Sequence, residues 1–139
     1  MKVKKLNSKY EATVNISKYR LSWDKPCRSK FQLEVKQWLK QYWSGHICLE
    51  EFRIPGSRLS CDIVNLTKRA VVEINGVQHD EYNAHFHRGS RTNWLSQIKR
   101  DEDKRQWASD NGFIFIEIIP DDLPLTPEFF REKYNISLF

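Results

Sequence analysis

The chain has 139 residues, with 23 Lys and Arg against 18 Asp and Glu for a formal net charge of +5, a length that fits one domain. Hydrophobic residues make up 40%, with five Trp, five Tyr and eight Phe, enough apolar surface for one core and too much for wholesale disorder. No apolar stretch approaches a bilayer span, the start MKVKKLNSKY lacks the apolar core of a signal peptide, and Cys27, Cys48 and Cys61 lack the spacing of a disulfide framework or zinc knuckle.

The charge is unevenly spread. Residues 1–30 hold nine basic and two acidic side chains, whereas residues 31–139 hold fourteen and sixteen. Residues 1–28 therefore read as a basic arm on a near-neutral domain spanning 29–139. A basic arm without an apolar stripe points to a polyanion and away from a membrane surface, because Lys and Arg that neutralise phosphates release condensed counterions. The expected partner is nucleic acid, and the expected location is the cytoplasm, at the nucleoid or in a host cytosol.

From Ser29 onward the pattern becomes regular. Phe31, Val35, Trp38, Leu39 and Tyr42 recur on one face of a helix of about four turns that ends before Gly45. Ile47 to Ile54 reads as a strand closed by the Pro55-Gly56-Ser57 turn, and Leu59 to Leu66 as a second. The turn Thr67-Lys68-Arg69 leads into Ala70 to Ile74, an apolar run of the kind that fills a central strand. Gly76 to Thr92 is polar and reads as a long loop. Trp94 to Asn111 reads as a helix stopped by Gly112, Phe113 to Ile119 as an apolar strand halted by Pro120, and Thr126-Pro127-Glu128 as the opening of a last helix. The order α-β-β-β-α-β-α predicts an α/β sandwich around a mixed sheet of four strands flanked by helices.

Two carboxylates interrupt apolar strands: Asp62 in Ser-Cys-Asp-Ile-Val and Glu73 in Val-Val-Glu-Ile-Asn. A carboxylate in a buried strand costs several kcal/mol unless it is paired or bound to a cation. With a turn at 67–69 the two fall close together across the strand pair, where like charges demand a cation between them, and Mg²⁺ suits such hard oxygen donors. The bland alternative, a solvated sheet face, accounts for Asp62 better than for Glu73. Glu34 lies on the edge of the first helix's apolar stripe, where it either reaches inward or pairs with Lys30 in solvent. His79, just past the strand that carries Glu73, is placed to handle a proton, although a histidine at a strand end is commonly a surface residue. A zinc site from His79, His85 and His87 lacks a recognised spacing. Asp101 shares a helix face with Trp94, Ile98 and Ala108, amid the basic residues Arg100, Lys104 and Arg105. A solvated, charge-laced helix satisfies the same run.

Taken together, Asp62, then Glu73-Ile-Asn-Gly-Val-Gln-His79, then Asp101-x-x-Lys104 with Gly112 and an apolar strand resemble the PD-(D/E)xK nuclease superfamily. More narrowly they resemble its branch of Vsr-type mismatch endonucleases and EDxHD homing endonucleases. The resemblance covers roughly residues 29–119, and it implies a restriction-endonuclease-like core. It implies Glu34 as the helical carboxylate at the site's edge, Asp62 and Glu73 as metal ligands, His79 as the family histidine, and Asp101 as the helical aspartate ahead of Lys104. It further implies Mg²⁺- or Mn²⁺-assisted hydrolysis of a DNA phosphodiester, with Lys104 or Arg100 steadying the phosphate and Arg88, Arg91 and Trp94 holding the DNA backbone. Asn75 departs from the pattern, standing where the wider superfamily has its lysine. Double-strand cleavage by one small site requires a homodimer or two successive nicks. The competing expectations are a catalytically inactive nucleic-acid-binding module on the same fold and a partner-binding subunit that uses its aromatic surface.

Overall fold

The computed structural model describes residues 1–76 and 91–139, with side chains in the second stretch described from Trp94 onward. It is a mixed α/β fold built on a four-stranded sheet. A small hairpin, β1 (Lys2–Lys4) and β2 (Glu11–Thr13), comes first, and a 3-10 turn follows at Ile16–Tyr19. Helix α1 (Lys30–Trp43) starts where Ser29 accepts a hydrogen bond from the Gln32 N–H at 3.1 Å, satisfying one of the amides a helix start leaves open. Its deepest residues are Val35, Leu39 and Trp43, with Phe31, Trp38 and Tyr42 packed on the flank. The stripe is thus rotated toward Trp43 from the one the periodicity predicts, and it carries a buried cation, Lys36.

The meander β3 (Cys48–Arg53), β4 (Ser60–Asn65) and β5 (Ala70–Ile74) pairs antiparallel, and β6 (Ile114–Ile118) adds parallel to β5 to give the order β3-β4-β5-β6. The connection to β6 ends in α2 (Arg91–Asp110), which begins three residues before the expected Trp94. Gly112 follows it at φ +74, a left-handed backbone that a side chain would strain. Helix α3 (Pro127–Tyr134) is capped by Thr126, as its opening triplet predicts. Among the described residues no helix is long and apolar enough to cross a membrane.

Each face of the sheet packs its own core. One joins α1, α3 and the C-terminal Ile136 and Leu138 to Ile63, Val72, Ile74 and Ile116. The other joins Trp107 and Ala108 of α2 to Leu49, Phe52, Val64 and Val71, and it includes Val3 of β1. Within residues 1–28, set apart in the sequence by their charge, Met1, Val3, Leu6, Val14, Ile16 and Tyr19 pack on this second core, and Leu21 and Trp23 pack on the first. The Trp107 indole N–H donates to the Lys4 carbonyl at 2.7 Å, and the Leu6 N–H donates to the Pro55 carbonyl at 2.9 Å. The same segment runs along the free edge of β3, where Arg20 bridges Leu49 and the Leu21 N–H donates to the Cys48 carbonyl at 2.9 Å. At the other edge, the Tyr134 hydroxyl accepts from the Glu117 N–H at 3.2 Å and donates to the Glu117 carbonyl at 2.9 Å. The three cysteines are free thiols, with Cys48 and Cys61 buried.

Candidate functional site

The meander sets a row of acidic residues across the sheet. Strands β4 and β5 pair in the register Ile63↔Val72, Val64↔Val71 and Asn65↔Ala70, which places Asp62 opposite Glu73. Strands β3 and β4 pair Glu50↔Ile63 and Phe52↔Cys61, which places Glu51 opposite Asp62. At the Asp62–Glu73 row the backbone rungs give way to side chains. The Asp62 N–H donates to Glu73 Oε2 at 2.8 Å, and the Ile74 N–H donates to Asp62 Oδ2, also at 2.8 Å. Each carboxylate accepts from the opposite strand, so the pair lies in the gap where β4 and β5 part. The exchange is physically reasonable: a buried amide needs an acceptor, and an ionised oxygen is a stronger one than a carbonyl.

Helix α2 completes the arrangement. Trp107 and Ala108 anchor it to the sheet, and one turn earlier Lys104 places its ammonium 2.5 Å from Glu73 Oε1. Glu73 is 3% exposed. Burial, and then the neighbouring Asp62 charge, push its carboxyl up to about 7, while Lys104 pulls the other way without prevailing. Burial likewise raises Asp62 above the usual carboxylate range, against the Ile74 amide and Lys104. For Lys104 burial favours loss of the proton, but the charge and hydrogen bond of Glu73 together outweigh it, and its pKa is raised. Two carboxylates thus face one ammonium.

Of the residues singled out from sequence, Asp62, Glu73 and Lys104 come together. Lys104 does so differently from expectation, as the direct partner of Glu73. Glu34 does not join them. It is exposed on α1, about 200° around the helix from Gln32, whose side chain faces β3. Asp101 is half-buried on α2 one turn before Lys104, Arg100 is exposed, and Trp94 is half-buried near the start of the same helix. Arg91 opens α2, but its side chain is outside the described set, and His79, His85, His87 and Arg88 lie outside the described residues altogether. Among the described residues no group of three or more His, Cys, Asp or Glu side chains is arranged to hold a metal ion.

Sequence reasoning missed a second polar cluster beside the first. Glu51, at the unusual φ of +49, pairs with Arg28 at 3.0 Å and accepts from Gln32 at 3.4 Å. Lys36, 1% exposed, donates to Glu50 at 2.9 Å and to the Lys25 carbonyl at 3.1 Å. The doubled Glu50-Glu51 inside an apolar strand was the available signal, since strand alternation cannot bury or expose both alike.

No family model matches the chain, and no solved structure matches it. The chain is similar to the "Uncharacterized protein 033L" of Invertebrate iridescent virus 3, being 40% identical over 65 residues. That match covers 47% of this chain and 33% of the viral protein, so the chain spans about a third of that relative's length.

Proposed function

We propose that the protein is a metal-dependent DNA endonuclease on a restriction-endonuclease-like core. One observation carries this reading: a buried and a half-buried carboxylate from adjacent strands, Glu73 and Asp62, meet where those strands part, Glu73 accepting from the Asp62 amide and Asp62 from the Ile74 amide. Satisfying those two amides does not require two ionisable acids, since neutral amide side chains would accept the same hydrogen bonds without bringing like charges together. The pair's donor chemistry fits a hard divalent cation, because carboxylate oxygens on opposed strands are the ligands Mg²⁺ and Mn²⁺ take, and one ammonium leaves the pair a net negative charge. Asp62 and Glu73 would hold that ion. When bound, it would supply Lewis acidity toward a phosphoryl oxygen and a more acidic water.

The remaining roles fall to the chain itself. Lys104 holds Glu73 in place and sets a positive charge beside the carboxylates, the charge that Asn75, just past the end of β5, cannot provide. With substrate present, that ammonium would sit against the phosphate as negative charge develops on it. His79, from the sequence just beyond β5, is assigned proton handling, and Asp101 the support of α2's basic face. The basic surface of residues 1–28 supplies the backbone contacts, which fix position without reading sequence.

A second reading, an inactive nucleic-acid-binding module, draws on one feature: Lys104 already gives Glu73 a counter-charge. Plasmid nicking separates the two. The purified chain with Mg²⁺ or Mn²⁺ is expected to nick supercoiled DNA, and Asp62→Asn and Glu73→Gln to bind DNA but leave it intact. Equal nicking by wild type and Glu73→Gln refutes the nuclease, and DNA binding with no nicking under either metal selects the inactive module.

A further inference from the structure

A cleft of about 380 Å³ opens beside the edge strand β3, between the segment leading from the 3-10 turn and the start of α1. Its floor is Glu50 and Glu51, and its walls include Lys18, Arg20, Lys25 and Arg28. Both acids are already engaged: Glu50 with the buried ammonium of Lys36, and Glu51 with Arg28 and Gln32. Among the described residues no ion pair engages Lys18, Arg20 or Lys25. The cleft is therefore lined by three cations without a carboxylate partner, Lys18 resting over the Tyr19 ring at 5.1 Å, beside two acids whose charge is already paired. Such a concave basic surface focuses its field on an anion more strongly than the same charges would on a convex one.

Its position matters as much as its sign. Glu51, which lines the cleft, stands opposite Asp62 on the neighbouring strand, one strand spacing of about 5 Å away along the sheet. A nucleic-acid strand rises about 3.4 Å per nucleotide, so a chain lying across the pair would bring its next phosphate or the one after it over the cleft. Arg28 links the two places, since it pairs with Glu51 and its charge also reaches Asp62.

We propose that this cleft is the docking subsite for the DNA backbone, taking the phosphodiester one or two nucleotides from the reacting one through Lys18, Arg20 and Lys25. The proposal rests on the nuclease reading and deepens it: residues 1–28 act as the wall of a defined phosphate site beside the chemistry.

The test is binding of the full-length chain to a labelled duplex oligonucleotide in EDTA, by fluorescence anisotropy over a range of salt concentrations. The double variant Lys18→Ala/Lys25→Ala is expected to reduce the slope of log affinity against log salt by about one for each phosphate that goes unneutralised. The charge-matched pair Arg131→Ala/Lys133→Ala, exposed side chains on α3, is expected to leave it unchanged. A second arm scans single neutral methylphosphonates along one strand. Those that weaken binding by wild type should weaken the cleft variant less, because its side chains no longer reach that phosphate. Circular dichroism checks that both variants keep the wild-type fold. If wild type binds and nicks DNA while the cleft variant keeps the full slope and the full methylphosphonate sensitivity, the cleft proposal falls and the nuclease stands. If wild type binds no DNA, both fall together.

Discussion

Glu73 shows how one side chain is held at odds with its own charge. Its pKa rises from 4.5 in a free chain to about 7 in the fold. Between those values the native state keeps a proton that the unfolded chain has released. The stabilisation this gives is complete below about pH 4.5 and is lost as pH climbs through 7. Glu73→Gln cannot titrate. The stability of wild type minus that of the variant is therefore expected to fall by roughly 3 kcal/mol across that window, read by urea denaturation in EDTA. A difference that grows with pH would mean the Lys104 pairing governs Glu73 instead. Lys36 makes the converse case, an ammonium 1% exposed whose partners are Glu50 and a carbonyl. Lys36→Ala deprives Glu50 of its counter-charge and opens a cavity, and it is expected to cost about 3 kcal/mol in the same assay.

At the scale of elements, the parting of β4 from β5 depends on side chains acting as rungs. Asp62→Asn keeps an acceptor for the Ile74 amide, whereas Asp62→Ala orphans it. The alanine variant should be less stable than the asparagine variant by about 1–2 kcal/mol, with faster hydrogen exchange at the Ile74 amide. Equal stability and exchange would show that this rung contributes nothing to the pairing. Much of the element pattern was legible in the sequence, because α1 has a clean helical period with a Ser29 cap, and Ala70 to Ile74 is an apolar run bounded by a turn. The acidic pair was legible for the same reason: a charge stands out in such a run. Lys36 was not, since a lysine on an apolar face reads as a flank until its partner on another strand is known. Nor was the meeting of Lys104 with Glu73, which depends on how α2 lies across the sheet.

In the whole molecule, the basic N-terminal segment packs against the sheet and α2. Its charge pattern hid this, because β1 and β2 are only three residues each, too short for alternation to register. Val3 is buried, and Met1, Leu6 and Val14 pack around it, each such side chain contributing roughly 1–3 kcal/mol when fully covered. Deleting residues 1–14 is expected to lower the melting temperature sharply or abolish folding, and the intact chain should melt in a single transition. A truncated chain with unchanged melting temperature would show that this packing adds nothing to stability. The bond that Tyr134 makes on both sides of Glu117 has its own consequence. A newcomer strand seeking to extend the sheet past β6 must first evict a phenol that occupies the donor and the acceptor it needs. The phenol thus acts as a plug on that flank, and a second copy extending the sheet there would have to displace it first.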